Sequence, residues 1–235
     1  MLINLRNALM ARKRMYMPVE WIDTGPITSA TLDAGAVIDT GIKIDSQCEI
    51  ESVILPYTGI GNVTTYGVYF GSSDSLNPND VNCVVFGMAG NTINRAYVLF
   101  LSNDARAFNI TLNSGAFRNI KLTYDSLTVD GVSYGYYPAE PRYVQSNYNL
   151  MLGCRNSAGN HWRCSRARYK SFSIKKAGKY LCQLSSVVRI SDGAFGMYDQ
   201  VSKSFLVSIN SHSLIGPDVA SDAPAMTGGG ISAYA

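Results

Sequence analysis

Charge is scarce in this chain. Only 16% of its 235 residues are Asp, Glu, Lys or Arg, and the net charge is +3, where an average globular protein carries about 25% charged residues. A broad cationic surface for nucleic acid is therefore not expected. Histidine is scarcer still: His161 and His212 stand alone, neither beside a nucleophile motif such as G-x-S-x-G, so Ser/His/Asp chemistry has no visible parts. The five cysteines, Cys48, Cys83, Cys154, Cys164 and Cys182, form no C-x-x-C pair and have no histidine at ligand spacing, which argues against zinc. Their odd number and wide spacing fit reduced thiols packed as small hydrophobes, in a chain folded in a cytoplasm, better than a disulfide framework. No apolar run approaches the ~20 residues that span a bilayer. The N-terminal stretch has its basic residues after its apolar ones and no cleavage-site pattern, so it makes a poor signal peptide. No cofactor, metal or membrane partner is expected.

What is present is apolar, aromatic and turn-rich. Hydrophobic residues make up 46% of the chain, with 15 Tyr and 21 Gly. That composition suits a surface that meets proteins or sugars through neutral hydrogen bonds and aromatic faces. The length fits one all-β domain. Residues 1–17 read as a basic amphipathic helical arm, with Leu2, Leu5 and Leu9 on one side and Arg6, Arg12, Lys13 and Arg14 as its cations, ending before Pro18. A helix so short is marginal alone, so these residues are expected to anchor the chain to an assembly. Residues 18–215 are expected to form the sandwich, and 216–235 a Gly/Ala/Ser-rich flexible tail.

From Trp21 the pattern changes to short strands near 36–43, 47–56, 64–71, 82–88, 95–101, 107–112, 117–124, 126–130, 149–154, 166–175, 179–184, 195–198 and 204–208. Their number and spacing favour an antiparallel sandwich. Ile120, Leu122 and Tyr124 alternate with polar neighbours, as a half-buried strand requires. Simple alternation puts Ala167, Tyr169 and Ser171 on one face and Arg168, Lys170 and Phe172 on the other. Asp192-Gly193 and Asp199 to Lys203 read as turns, with Phe195, Met197, Phe205 and Val207 facing inward.

Candidate functional residues each have a plainer reading beside them. Glu49 and Glu51 share a strand face and are the one carboxylate pair that a glycosidase could use, but with no third carboxylate or aromatic platform nearby in sequence a solvated face is the reading adopted. Asp74, Asn77, Asn79, Asp80 and Asn82 form an oxygen-rich loop that suits calcium or ordinary turns. Arg163, Arg166, Arg168 and Lys170 alternate along a strand and could meet an acidic partner or water. Tyr134, Tyr136, Tyr137 and Tyr143 lie in an aromatic Pro-containing loop and, with Trp162, are the proposed ligand-contacting residues; packing under their own loop is the alternative.

The residues also carry a family resemblance. Trp21-Ile22-Asp23-Thr24, followed by Ala36 to Lys43 (AVIDTGIK), resembles the opening "YIESTGTQYIDTGI" of concanavalin A-like, laminin-G-like sandwich domains of gut bacteria and their phages. Phe117 to Leu122 with Leu127 to Gly131 is similar to the family's "RHTIKL…vyiDG" hairpin. Asn149 to Asn156 and Ala167 to Ile174 resemble "NLYLFARN…aRIYSFKIYD", and Ser191 to Phe205 resembles the closing "SDGvvGLYDkvnnkFY". The motifs keep their order across about residues 21–210. The resemblance implies a jelly roll of eleven to fourteen strands, used for adhesion or glycan recognition and without catalytic residues. Short members with a basic helical start resemble phage structural proteins. That implies a non-enzymatic virion component, in the capsid decoration or the tail, present in many copies and displayed for contact with other virion proteins or host glycans. A carbohydrate-binding module of a gut bacterium is the alternative, and a glycoside hydrolase a third.

Overall fold

The computed structural model describes residues 15–25, 35–57, 67–74, 83–88, 95–101, 106–112, 115–135, 145–162 and 164–218, with the backbone alone at Trp162. The described residues contain eighteen strands and no helix. In chain order these are β1 (Tyr16–Pro18), β2 (Ile22–Asp23), β3 (Ile38–Asp39), β4 (Cys48–Pro56), β5 (Gly67–Ser73) and β6 (Val84–Met88). Then come β7 (Arg95–Phe100), β8 (Arg106–Asn109), β9 (Arg118–Leu122), β10 (Ser126–Val129), β11 (Val132–Gly135) and β12 (Met151–Leu152). The last six are β13 (Arg155–Ser157), β14 (Asn160–Trp162), β15 (Ala167–Lys176), β16 (Lys179–Arg189), β17 (Phe195–Asp199) and β18 (Phe205–Leu206).

Two sheets form the sandwich. The first runs β11-β10-β9-β4-β15-β16-β17-β18, with β1 beside β16 and β2 beside β15. The second runs β14-β13-β5-β6-β7-β8, with β12 bridging β5 and β3. The ladders are antiparallel except β13 on β5, which is parallel. Between the sheets lie Ile50, Ile54, Ile120, Leu122, Phe172 and Ile174 from the first and Phe70, Phe86, Val98 and Phe100 from the second. Phe70 joins the layers, edge-on to Phe172 at 5.4 Å and stacked on Phe86 at 5.2 Å. Tyr169 Oη, fully buried, donates to the carbonyl of Tyr69 and accepts from Gly153 N at 3.2 Å, so its polar tip costs little to bury.

Three two-residue turns link neighbouring strands: Asp130-Gly131, Ala158-Gly159 and Ala177-Gly178, every residue with φ between 48° and 86°. This mirror-image turn matches the twist of a hairpin, and it requires positive φ at both positions. The Asp192-Gly193 turn also forms, with Gly193 at φ 71°.

Several expectations change. Residues 1–14 lie outside the described residues, and the expected helix end at Tyr16–Pro18 is a strand instead, paired with Arg189, Val188 and Val187 of β16. The β15–β16 ladder ends at Ser171 and Ser185. Beyond that point β1 takes the free edge of β16, and β2 pairs with Arg168 and Tyr169 of β15. Backbone groups without a ladder partner would be left unsatisfied there. Simple alternation in β15 also fails. Tyr169 pairs with Ile54 but Ser171 with Val53, so Lys170 is an extra residue in a bulge, and Phe172 turns inward while Ser171 turns out. At the closing motif, Met197 is buried and Leu206, its partner, packs on the core; Phe205 pairs with Tyr198 on the outer face, and Val207 is exposed.

Candidate functional site

The outer face of the first sheet is an open trough of about 600 Å³. Alternate side chains of five strands make its floor: Glu51 and Val53 of β4, Lys121 of β9, Thr128 of β10, Ser171 and Ser173 of β15, and Gln183 and Ser185 of β16. The inward alternates on these strands are the core residues, so the same period-two pattern that builds the core presents hydroxyls and amides to solvent. Tyr180, 40% exposed, stands at one margin, with Lys175 Nζ 4.9 Å from its ring centre. Gln200 stands at another.

Asp199 positions that second margin. Buried at the end of β17, its carboxylate accepts from Gln183 N (2.9 Å), Val201 N (3.0 Å), Ser202 N (3.1 Å) and Ser202 Oγ (2.5 Å). Burial pushes the carboxyl up, but these donors outweigh it and hold Asp199 below its ordinary value. The turn that presents Gln200 is thereby tied to the strand that presents Gln183.

The trough's charges cancel. Lys121 Nζ is 2.5 Å from Glu49 and 3.9 Å from Glu51, and Lys175 Nζ is 2.8 Å from Glu51. One ammonium bridges the two carboxylates, so they share a cation rather than flank an open gap as a glycosidase pair must.

Aromatic rings frame the same sheet. Tyr16 packs on Tyr198 and Phe205 with ring centres 5.0 Å apart in both pairs, and Arg189 lies over Phe205. Elsewhere, Arg166 and Arg168 converge on Asp23, which is 1% exposed: Arg166 Nη2 at 2.8 Å and Arg168 Nε at 3.2 Å. Arg168 also lies 3.9 Å over the Trp21 ring, and Lys170 binds Glu20 and sits over Phe117. Arg166, Arg168 and Lys170 are therefore fastened by the buried Asp23, by Glu20 and by the Trp21 and Phe117 rings, and Arg163 lies outside the described residues.

Of the residues chosen from sequence, Tyr134 is on β11 and not in a loop. It is half-buried, its ring 5.7 Å from Phe108 and against the core, so packing explains it. Tyr136, Tyr137 and Tyr143 lie outside the described residues, as do Leu2, Leu5, Arg6, Leu9, Arg12, Lys13 and Arg14. The backbone of Trp162 pairs with Arg155 at the edge of the second sheet, away from the trough. Asp74 uses both oxygens on Asn147, at 2.8 Å each, and its companions in the oxygen-rich loop lie outside the described residues. No group of three metal-ligating side chains occurs among the described residues. Sequence reasoning missed Tyr180, Gln183 and Gln200, since no local motif marks them.

No family model and no curated protein matches the chain. Among solved structures it is similar to the mouse laminin α1 chain, domains LG4-5, with 13% identity, a TM-score of 0.45, and coverage of 77% of this chain and 50% of that one. It thus spans half the length of that two-domain structure. The two facing sheets seen here are by themselves sufficient for an all-β sandwich.

Proposed function

We propose that this chain is a non-enzymatic recognition domain of a bacteriophage virion, displayed in many copies on capsid or tail, whose trough binds a neutral oligosaccharide of the host surface. The observation that carries the binding reading is the trough's composition. Hydroxyls and amides of Ser171, Ser173, Gln183, Ser185 and Gln200 stand beside one exposed ring, Tyr180, with the local charges cancelled. Sugars present the complementary surface: hydroxyls that exchange neutral hydrogen bonds and an apolar C–H face that stacks on an aromatic ring. The virion reading is supported by the resemblance of the ordered motifs to sandwich domains of gut bacteria and their phages and by the basic stretch of residues 1–17, which would attach the chain to other virion proteins.

The test has two arms. Particles from a lysed culture carrying the gene are purified and their proteins counted by mass spectrometry. The chain is expected in hundreds of copies for capsid decoration and in tens for a tail; absence from particles makes a bacterial carbohydrate-binding module the better reading. Separately, the purified chain is screened on a glycan array. Binding that is lost in both Tyr180→Ala and Gln183→Ala supports the trough, and binding that survives both removes it.

A further inference from the structure

Arg166 and Arg168 flank Ala167 where β15 begins. Ala167 faces the core, so both arginines leave the sheet on its outer side. They share one acid. Asp23, buried on the neighbouring β2, accepts from Arg166 Nε at 3.0 Å, Arg166 Nη2 at 2.8 Å and Arg168 Nε at 3.2 Å, and its Oδ1 also takes Gly25 N at 2.9 Å. Both carboxylate oxygens are thereby engaged. Arg166 Nη1 and the two terminal nitrogens of Arg168 donate to no acceptor among the described residues, although the two side chains are only 26% and 30% exposed.

Two rings hold these guanidiniums in place before any ligand arrives. Tyr57, just past the end of β4, donates its amide to the Arg166 carbonyl at 3.2 Å, and its ring centre lies 4.6 Å from the Arg166 guanidinium carbon and 5.5 Å from that of Arg168. The Trp21 ring lies 3.9 Å from the Arg168 guanidinium. A guanidinium tied by its Nε and seated on a ring has few rotamers left to lose on binding. Charge is also uneven here. Lys170, the next cation along β15, is matched by Glu20, whereas two arginines on one acid leave one positive charge in excess. The planar fork of terminal N–H groups fits a carboxylate, which accepts two parallel bonds and supplies one negative charge. A phosphate dianion would instead set two charges beside the buried Asp23.

We propose that Arg166 and Arg168 form a binding site for a small organic monocarboxylate, which accepts from the terminal nitrogens of both guanidiniums. The site is separate from the trough, sharing none of its lining residues, and it stands whether or not the trough binds sugar. Asp23 and the Trp21 and Tyr57 rings act as positioning residues, aligning the two forks without touching the ligand's carboxylate.

Trp21 makes the site observable, since Trp162 is the only other tryptophan. The full chain carrying Trp162→Phe is titrated with sodium acetate replacing sodium chloride at constant ionic strength, and its emission is followed. A saturable change is expected with acetate, and weaker binding with inorganic phosphate. In that background, Arg168→Lys and Arg166→Lys keep the charge but lose the fork, and each should weaken acetate about tenfold. Lys179→Ala, which removes an exposed cation from the far end of β16, should leave the affinity unchanged. The proposal is overturned if acetate gives no saturable change, if phosphate binds as tightly as acetate, or if Lys179→Ala weakens binding as much as the arginine variants do. Retention of full affinity by both lysine variants would overturn it as well. The comparison of acetate with phosphate decides the matter even where a variant fails to fold.

Discussion

The two outer faces of this sandwich obey opposite rules. In the first sheet, β4 alternates buried and half-buried residues along most of its length, and its outward side chains are Glu49, Glu51 and Val53. In the second, every residue of β6 and nearly every residue of β7 is buried, and the outward-facing Val68, Cys83, Val85, Tyr97 and Leu99 form an apolar cluster of their own. One face is therefore available for recognition and the other is spent on packing. A strand buried on both sides reads as a continuous apolar run, and one buried on a single side reads as alternation.

The sharpest way to break the comparison is to place the same charge on both faces. Val85→Asp buries an unpaired carboxylate and should cost more than about 4 kcal/mol, enough to abolish a cooperative transition, while Val53→Asp on the trough floor should stay within about 1 kcal/mol. Urea unfolding of the two variants measures the contrast. Next in size is Asp23→Ala, which leaves Arg166 and Arg168 facing each other without their shared carboxylate; a loss of about 3 kcal/mol is expected by the same measurement.

Asp199 offers a pH signature of intermediate size. Its folded pKa is depressed, so its contribution is fully present above the ordinary carboxylate range and is lost as pH falls through the lowered folded value. Asp192, held at about 2 by Arg189 and the Ala194 amide, extends the same window downward. Asp199→Ala should cost about 2 kcal/mol near neutrality and flatten the acid limb of a stability-against-pH curve. An unchanged acid limb would show that the turn tolerates the loss. The smallest effect belongs to the open face: Lys121→Ala, whose partners Glu49 and Glu51 are only half-buried, should shift stability by less than about 1 kcal/mol, and less again at high salt.

The sequence made the open sheet legible because its alternation is local: Ile120 and Leu122 inward with Asn119 and Lys121 outward needs no knowledge of the partner strand. It could not reveal that Lys170 is extra in its ladder, since a bulge is a property of two strands and only one is visible at a time. The Asp192-Gly193 turn was legible from its chemistry, whereas Ala177-Gly178 was not, because alanine seldom adopts positive φ and here follows the hairpin's demand. The strands β1 and β2, with three and two residues, carry no period of their own and exist because β15 and β16 leave edges to fill. The trough was the least legible feature. Tyr180, Gln183 and Thr128 are unremarkable in their own segments and come together only when five strands are laid side by side.

The seam between β4 and β15 also governs how the molecule is reached from its unfolded chain. Lys175 and Glu51, joined across it, are 124 residues apart in sequence, whereas the hairpins β10–β11, β13–β14 and β15–β16 each close over two residues. Local hairpins form within microseconds, but closing so long a loop surrenders chain entropy before any contact repays it, which places folding on the order of milliseconds to seconds. The trough straddles that seam, so its two halves come together only at the step that completes the sheet, and no partly folded chain presents the whole trough.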